Sequence, residues 1–143
     1  MPNHCRNRVE IYGEDPDQIK EVKKTLAGKK TCFDFNNIVP MPKELEGSDA
    51  NVGYPNEKNS FEAKRLRKQH GHDNWYDWRC ANWDTKWNSY EASLDEDEDS
   101  LHYEFQTAWG PPQNVIIELR KKFPKLSITA FYDEPGMEMA GYY

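Results

Sequence analysis

Two amphipathic helical segments, each opened by proline, are flanked by segments in which apolar and polar side chains alternate, and that order restricts the chain to few architectures. Arg6–Tyr12 sets Asn7, Val9 and Ile11 on one side and Arg8, Glu10 and Tyr12 on the other, the period of two that marks a half-buried strand. Gly13 ends it. Asp15-Pro16 then supplies an N-cap followed by proline at the first helical position, with Gln18 as capping-box partner. Ile19, Val22 and Leu26 recur at i, i+3 and i+7 as a stripe facing the strand, and Gly28 stops the helix.

The second half repeats the theme. Tyr90, Ala92 and Leu94 share one face of Ser89–Leu94, and Leu101, Tyr103 and Phe105 share one face of the next segment. The acidic run Asp95, Glu96, Asp97, Glu98 and Asp99 between them has the length of a hairpin loop. Pro111-Pro112 opens the second helix, whose stripe is Ile116, Leu119 and Phe123, widened by Val115 and Ile117 and closed by Pro124. Leu126–Tyr132 alternates again, and Met137–Tyr143 adds a short edge strand. With residues 33–87 or so taken as a long insertion after the first helix, the order is strand, helix, strand, strand, helix, strand. The expected fold is therefore α+β, a ferredoxin-like βαββαβ antiparallel sheet with both helices on one face, in a single domain over residues 1–143.

Within the insertion, Phe33, Phe35 and Ile38 are apolar, while Pro40 and Pro42 forbid a regular helix, so this part is expected to lie extended along the core. Lys43–Asn59 reads as a loop with a turn of helix at its start. Ser60 caps a surface helix over Phe61–Gln69, anchored by Phe61 and Leu66 and stopped by Gly71. Asn74–Gly110 holds all five tryptophans. Trp83, Trp87 and Trp109 are expected to fill the core where the insertion rejoins the sheet; Trp75 and Trp78, among Asp73, Asn74, Asp77 and Arg79, are expected at the surface.

Composition narrows the class. A chain of 143 residues buries one core without needing metal or disulfide. Only 36% of it is hydrophobic while 13% is aromatic, so rings must build much of that core. No apolar run approaches the ~20 residues of a membrane span, and Met1–Arg8 carries no signal-peptide pattern, so a cytoplasmic protein without membrane contact is expected. Cys5, Cys32 and Cys80 form no close-spaced pair and are expected to stay reduced. A net charge of −6 disfavours a protein that coats nucleic acid.

The blocks M-P-N-x-C-x-N-x-V-x-I-x-G (Met1–Gly13), F-D-F-N-x-I-x-P-M-P (Phe33–Pro42), N-W-D-T-K-W (Asn82–Trp87), F-x-T-A-W-x-P-P (Phe105–Pro112) and the closing Y-D-E-P-G resemble the YubB-type (Api-like) ferredoxin-like domain family of phages, plasmids and other mobile elements. His4 and Asp84 depart from the family pattern, which has tryptophan and commonly glycine there. The resemblance implies the fold and an origin in a mobile element, and it carries no catalytic site.

Three function classes follow. The leading expectation is an accessory protein without enzymatic activity or cofactor that binds a host protein or nucleoprotein complex, such as a defence nuclease (CRISPR or restriction). Trp75 and Trp78 would make contacts, and Asp95–Asp99 would imitate the charge spacing of phosphates. The alternative is a nucleic-acid-binding module using Lys20, Lys23, Lys24, Lys64, Arg65, Arg67 and Lys68. The glutamates on the open sheet face oppose RNA readout there. A metal-dependent hydrolase would need Asp34, Asp84 and Glu134 to converge, whereas capping and buried hydrogen bonding suit such residues better. A zinc site would need His70, His72 and Cys80 beside His4 or Cys5, but the H-x-H spacing at a helix end speaks against it.

Overall fold

The computed structural model describes residues 2–46 and 61–143. In chain order they form β1 (His4–Tyr12), α1 (Pro16–Leu26), two 3-10 turns (Phe35–Asn37 and Lys43–Leu45), α2 (Phe61–His70), α3 (Trp75–Trp83), β2 (Tyr90–Glu96), β3 (Ser100–Ala108), α4 (Gln113–Lys122), β4 (Ser127–Glu134), a third 3-10 turn (Pro135–Met137) and β5 (Met139–Tyr142). The sheet order is β2-β3-β1-β4-β5, antiparallel throughout. This is the ferredoxin-like arrangement with one added edge strand. The expected Ser60 cap and the loop beyond Glu46 lie outside the described residues.

β1 is the central strand because its alternation is complete: every second residue from Cys5 to Ile11 is buried and the residues between them face out. The inner face of the sheet, with Val9, Ile11, Leu101, Tyr103, Phe105, Ile128 and Ala130, meets the apolar stripes of all four helices in one core. α1 begins as the sequence indicates, with Asp15 accepting the Asp17 N–H at 2.9 Å. Gly28 is required just beyond it, because any Cβ there would collide with the Asp34 carboxylate. Burial of this contiguous apolar surface is the main stabilising term.

Several features differ from expectation. Phe61 is exposed, leaving Leu66 as the buried anchor of α2. Ile117 is exposed, because it falls on the turn of α4 opposite Val115, Ile116 and Leu119. Asp95 and Glu96 belong to β2, so the acidic loop shrinks to a tight turn closed by Asp97 N–H on Ser100 O. The insertion also contains a helix that periodicity did not show, α3, capped by Asn74 on the Asp77 N–H at 2.8 Å.

Candidate functional site

α3 divides the tryptophans into two groups. Trp75, Trp78 and Arg79 stand at i, i+3 and i+4, and Trp83 one turn later, so all four share the helix face that turns inward. Trp83 is 0% exposed and Trp78 6%. Trp83 packs edge-on against Phe35 (5.5 Å between ring centroids) and Trp78 (5.8 Å), and its indole N–H donates to Val39 O at 2.8 Å. The Arg79 guanidinium lies 5.1 Å from the Trp75 ring and 5.0 Å from that of Trp83, and burial holds its pKa below the usual arginine value. The surface position expected for Trp78 is thus corrected: its sequence neighbour Asp77 faces solvent while the ring turns to the core. Trp75 is half-buried.

Trp87 and Trp109 are corrected in the other direction, at 37% and 51% exposed. A polar clamp fixes the chain beneath them. Asp84 leaves α3 in left-handed backbone (φ 66°), and its carboxylate accepts the Asn114 N–H at 2.9 Å. Thr85 donates its hydroxyl to Ala108 O at 2.8 Å, one residue before Trp109. Asn88 accepts the N–H groups of Phe35 (3.0 Å) and Ser89 (2.9 Å) and donates to Asp34 at 2.8 Å. This ties the start of β2 to the insertion.

On that base stands an aromatic group. The Trp87 ring has Lys86 Nζ 4.5 Å from its centroid and Tyr90 at 6.2 Å; Tyr90 in turn meets His4 edge-on at 5.7 Å and bonds its ring nitrogen. Trp109 follows His4's cross-strand partner Ala108 and donates its N–H to Asn3 O at 2.9 Å. Two backbone strains sit here: Trp109 is left-handed (φ 71°), and so is Glu91 (φ 49°), where the β2–β3 register shifts between Tyr90 and Ser93. Left-handed backbone in non-glycine residues costs on the order of 1 kcal/mol or more. A bulge beside it re-aims the neighbouring side chains.

The acidic turn lies at the far end of the same hairpin, because Tyr90 pairs with Gln106 and Glu96 with Leu101. Six strand steps put it roughly 20 Å away. Glu96 is engaged by Lys23 at 2.8 Å, and Asp97 approaches His102 at 3.9 Å. Asp95, Glu98 and Asp99 are exposed, and their side chains make no ion pair among the described residues.

Residues 82–143 match the family model of the ferredoxin-like domain in Api92-like protein. That span carries the aromatic site's Lys86, Trp87, Tyr90 and Trp109, together with three of the five sequence blocks that prompted the resemblance; Met1–Gly13 and Phe33–Pro42 lie outside it. The crystal structure of protein api92 from Yersinia pseudotuberculosis is similar in fold, with a TM-score of 0.61 and 12% identity, covering 99% of this chain and 93% of that one. No curated protein matches the chain.

The remaining candidate residues are dispersed. Of the seven cations, Lys23 pairs with Glu96, Arg65 with Glu62 and Glu44, and Arg67 with Asp73, so part of the presumed basic surface is neutralised within the molecule. His70 bonds Glu44 at 2.9 Å, Cys5 is buried in the sheet and Cys80 is exposed on α3. No group of three His, Cys, Asp or Glu side chains is placed to hold a metal among the described residues. The three carboxylates weighed for hydrolysis each hold backbone instead: Asp34 accepts the Asn36 N–H (3.0 Å), Asp84 that of Asn114, and Glu134 that of Gly136 (3.1 Å). No described helix is long and apolar enough to cross a membrane.

Proposed function

We propose that this chain is an accessory protein of a mobile element that acts by binding a host macromolecule, with the Trp87–Trp109 end of the sheet as its contact surface. One observation carries the reading: two tryptophans remain at the surface, one on strained backbone, while the core has two others of its own. An exposed tryptophan in left-handed backbone gives the fold little. The same flat, rigid ring gives a binding interface affinity at low entropic cost.

The acidic turn is a second contact element, whose field would steer a cationic partner surface toward the hairpin. A nuclease complex of host defence, with its cationic nucleic-acid channel, is a partner class of that chemistry. The resemblance to mobile-element proteins gives the same direction.

The test compares capture from host lysate by the wild-type chain, a Trp87→Ala/Trp109→Ala variant, and a variant with Asp95, Asp97 and Asp99 changed to Asn and Glu96 and Glu98 to Gln. A specific partner held by wild type, lost from the tryptophan variant and bound more slowly by the acid variant is the expected outcome. Equal capture by the tryptophan variant would remove this surface from the reading, and no specific partner at all would remove the interaction itself. Gel shifts across a salt series identify nucleic-acid binding, which must weaken steeply as salt rises.

A further inference from the structure

The sheet face away from the helices carries a second, unrelated feature. On β1, Arg6 and Arg8 point outward; directly across, Arg6 has Asp133 on β4 and Arg8 has Glu104 on β3. Facing residues on adjacent strands stand about 5 Å apart, well within reach of an ion pair. Yet among the described residues neither arginine forms one. The Arg8 guanidinium lies instead over the Phe131 ring, 4.8 Å from its centroid. The charged groups surround an open cleft of about 220 Å³ lined by Arg6, Arg8, Glu104, Phe131 and Asp133. Tyr142 extends the Phe131 wall, with 5.2 Å between their ring centroids.

The arrangement of charge selects the ligand. Two guanidinium groups on one strand form a positive centre whose N–H edges suit a carboxylate, since stacking on Phe131 occupies the face of Arg8 and leaves its edge free. A carboxylate of the protein stands one strand away on each side, so a simple polyanion such as a nucleic-acid backbone would be repelled at both flanks. A molecule with both signs of charge about one strand spacing apart meets all of these groups. The volume lies below the ~300 Å³ at which drug-sized pockets begin. We propose that this cleft binds a free α-amino acid, with its carboxylate on the Arg6–Arg8 edge, its ammonium at Glu104 and an apolar or aromatic side chain against Phe131. Asp133 closes the cleft on the side of β4.

The experiment titrates the full chain with L-phenylalanine, 3-phenylpropanoate (which lacks the ammonium) and phenethylamine (which lacks the carboxylate), following backbone amide shifts by NMR. L-Phenylalanine should give saturable shifts at Arg8, Glu104 and Phe131, and each analogue should bind at least roughly tenfold more weakly, the ratio set by loss of about 1.4 kcal/mol. Glu104→Gln should weaken phenylalanine by a similar factor, while Arg8→Ala should weaken 3-phenylpropanoate as well. Absence of saturable shifts with phenylalanine, equal binding of 3-phenylpropanoate, or an unaltered Glu104→Gln variant would each overturn the proposal. The two analogues act on the unmodified chain, so the result does not depend on any variant folding.

Discussion

Trp78 and Trp83 lie inside the molecule, while Trp87 and Trp109 lie on its surface, although all four come from one stretch of the chain. Local composition does not separate Trp78, Trp83 and Trp87, since an acidic or amide residue stands next to each. Backbone does. The first two occupy one face of a capped helix aimed at the core, and the other two follow left-handed turns, at Asp84 and at Trp109 itself, that lead the chain outward. A ring's burial is therefore decided by the element that carries it, not by its size alone.

The largest expected effect tests the inner pair. Trp83→Ala removes a fully buried ring and its bond to Val39 O, and should cost about 3–5 kcal/mol in urea unfolding; a loss below about 1 kcal/mol would mean that α3 is not seated on the core. Next comes a pH effect beside the outer pair's base. Burial pushes the Cys5 thiol up to about 11 from its ordinary 9.0. The folded state therefore keeps this proton where the unfolded state has lost it, so the contribution is intact below about pH 9 and is lost as pH rises through about 11. Cys5→Ser should flatten the fall of unfolding free energy across that window by roughly 1–2 kcal/mol; identical wild-type and variant profiles would refute the assignment.

The outer pair should behave differently. Trp87→Ala removes a ring that is 37% exposed and packed by Lys86 and Tyr90 and should cost about 1–2 kcal/mol; a loss as large as that of Trp83→Ala would return Trp87 to the core. Both Trp109→Gly and Trp109→Ala lose the half-covered ring, but glycine also relieves the left-handed backbone, so Trp109→Gly should be the more stable of the two by up to about 1 kcal/mol, partly offset by glycine's unfolded-state entropy. Thermal melts of the two variants side by side decide it.

The sheet was legible in the sequence because period-two alternation reports a half-buried strand directly, as Asn7, Val9 and Ile11 did for β1. The first helix was legible through the Asp15-Pro16 cap. The tryptophan positions were not. α3 is nine residues long and mixes Asp77, Arg79 and Asn82 with its aromatic residues, so its inward face shows only once the Asn74 cap is recognised and the spacing of Trp75, Trp78 and Arg79 is counted from it. Trp109 gave no signal, because a left-handed turn is normally announced by glycine or asparagine and here the glycine comes one residue late. The polar clamp of Asp84, Thr85, Asn88 and Asn114 depends on contacts between distant segments, which no local pattern encodes. The Arg6–Asp133 and Arg8–Glu104 juxtapositions depend likewise on strand register.

The bulge in β2 has a consequence for behaviour at high concentration. β2 is an outer strand, and an outer strand with free N–H and C=O groups invites another chain to extend the sheet. Left-handed Glu91 breaks the straight run of those groups, and Asp95 and Glu96 place like charge along what remains. Any second copy approaching in antiparallel register would bring acid against acid. The acidic run thus opposes pairing of two copies through their β2 edges, and the variant with all five acids neutralised should form more dimer as its concentration rises, read by sedimentation.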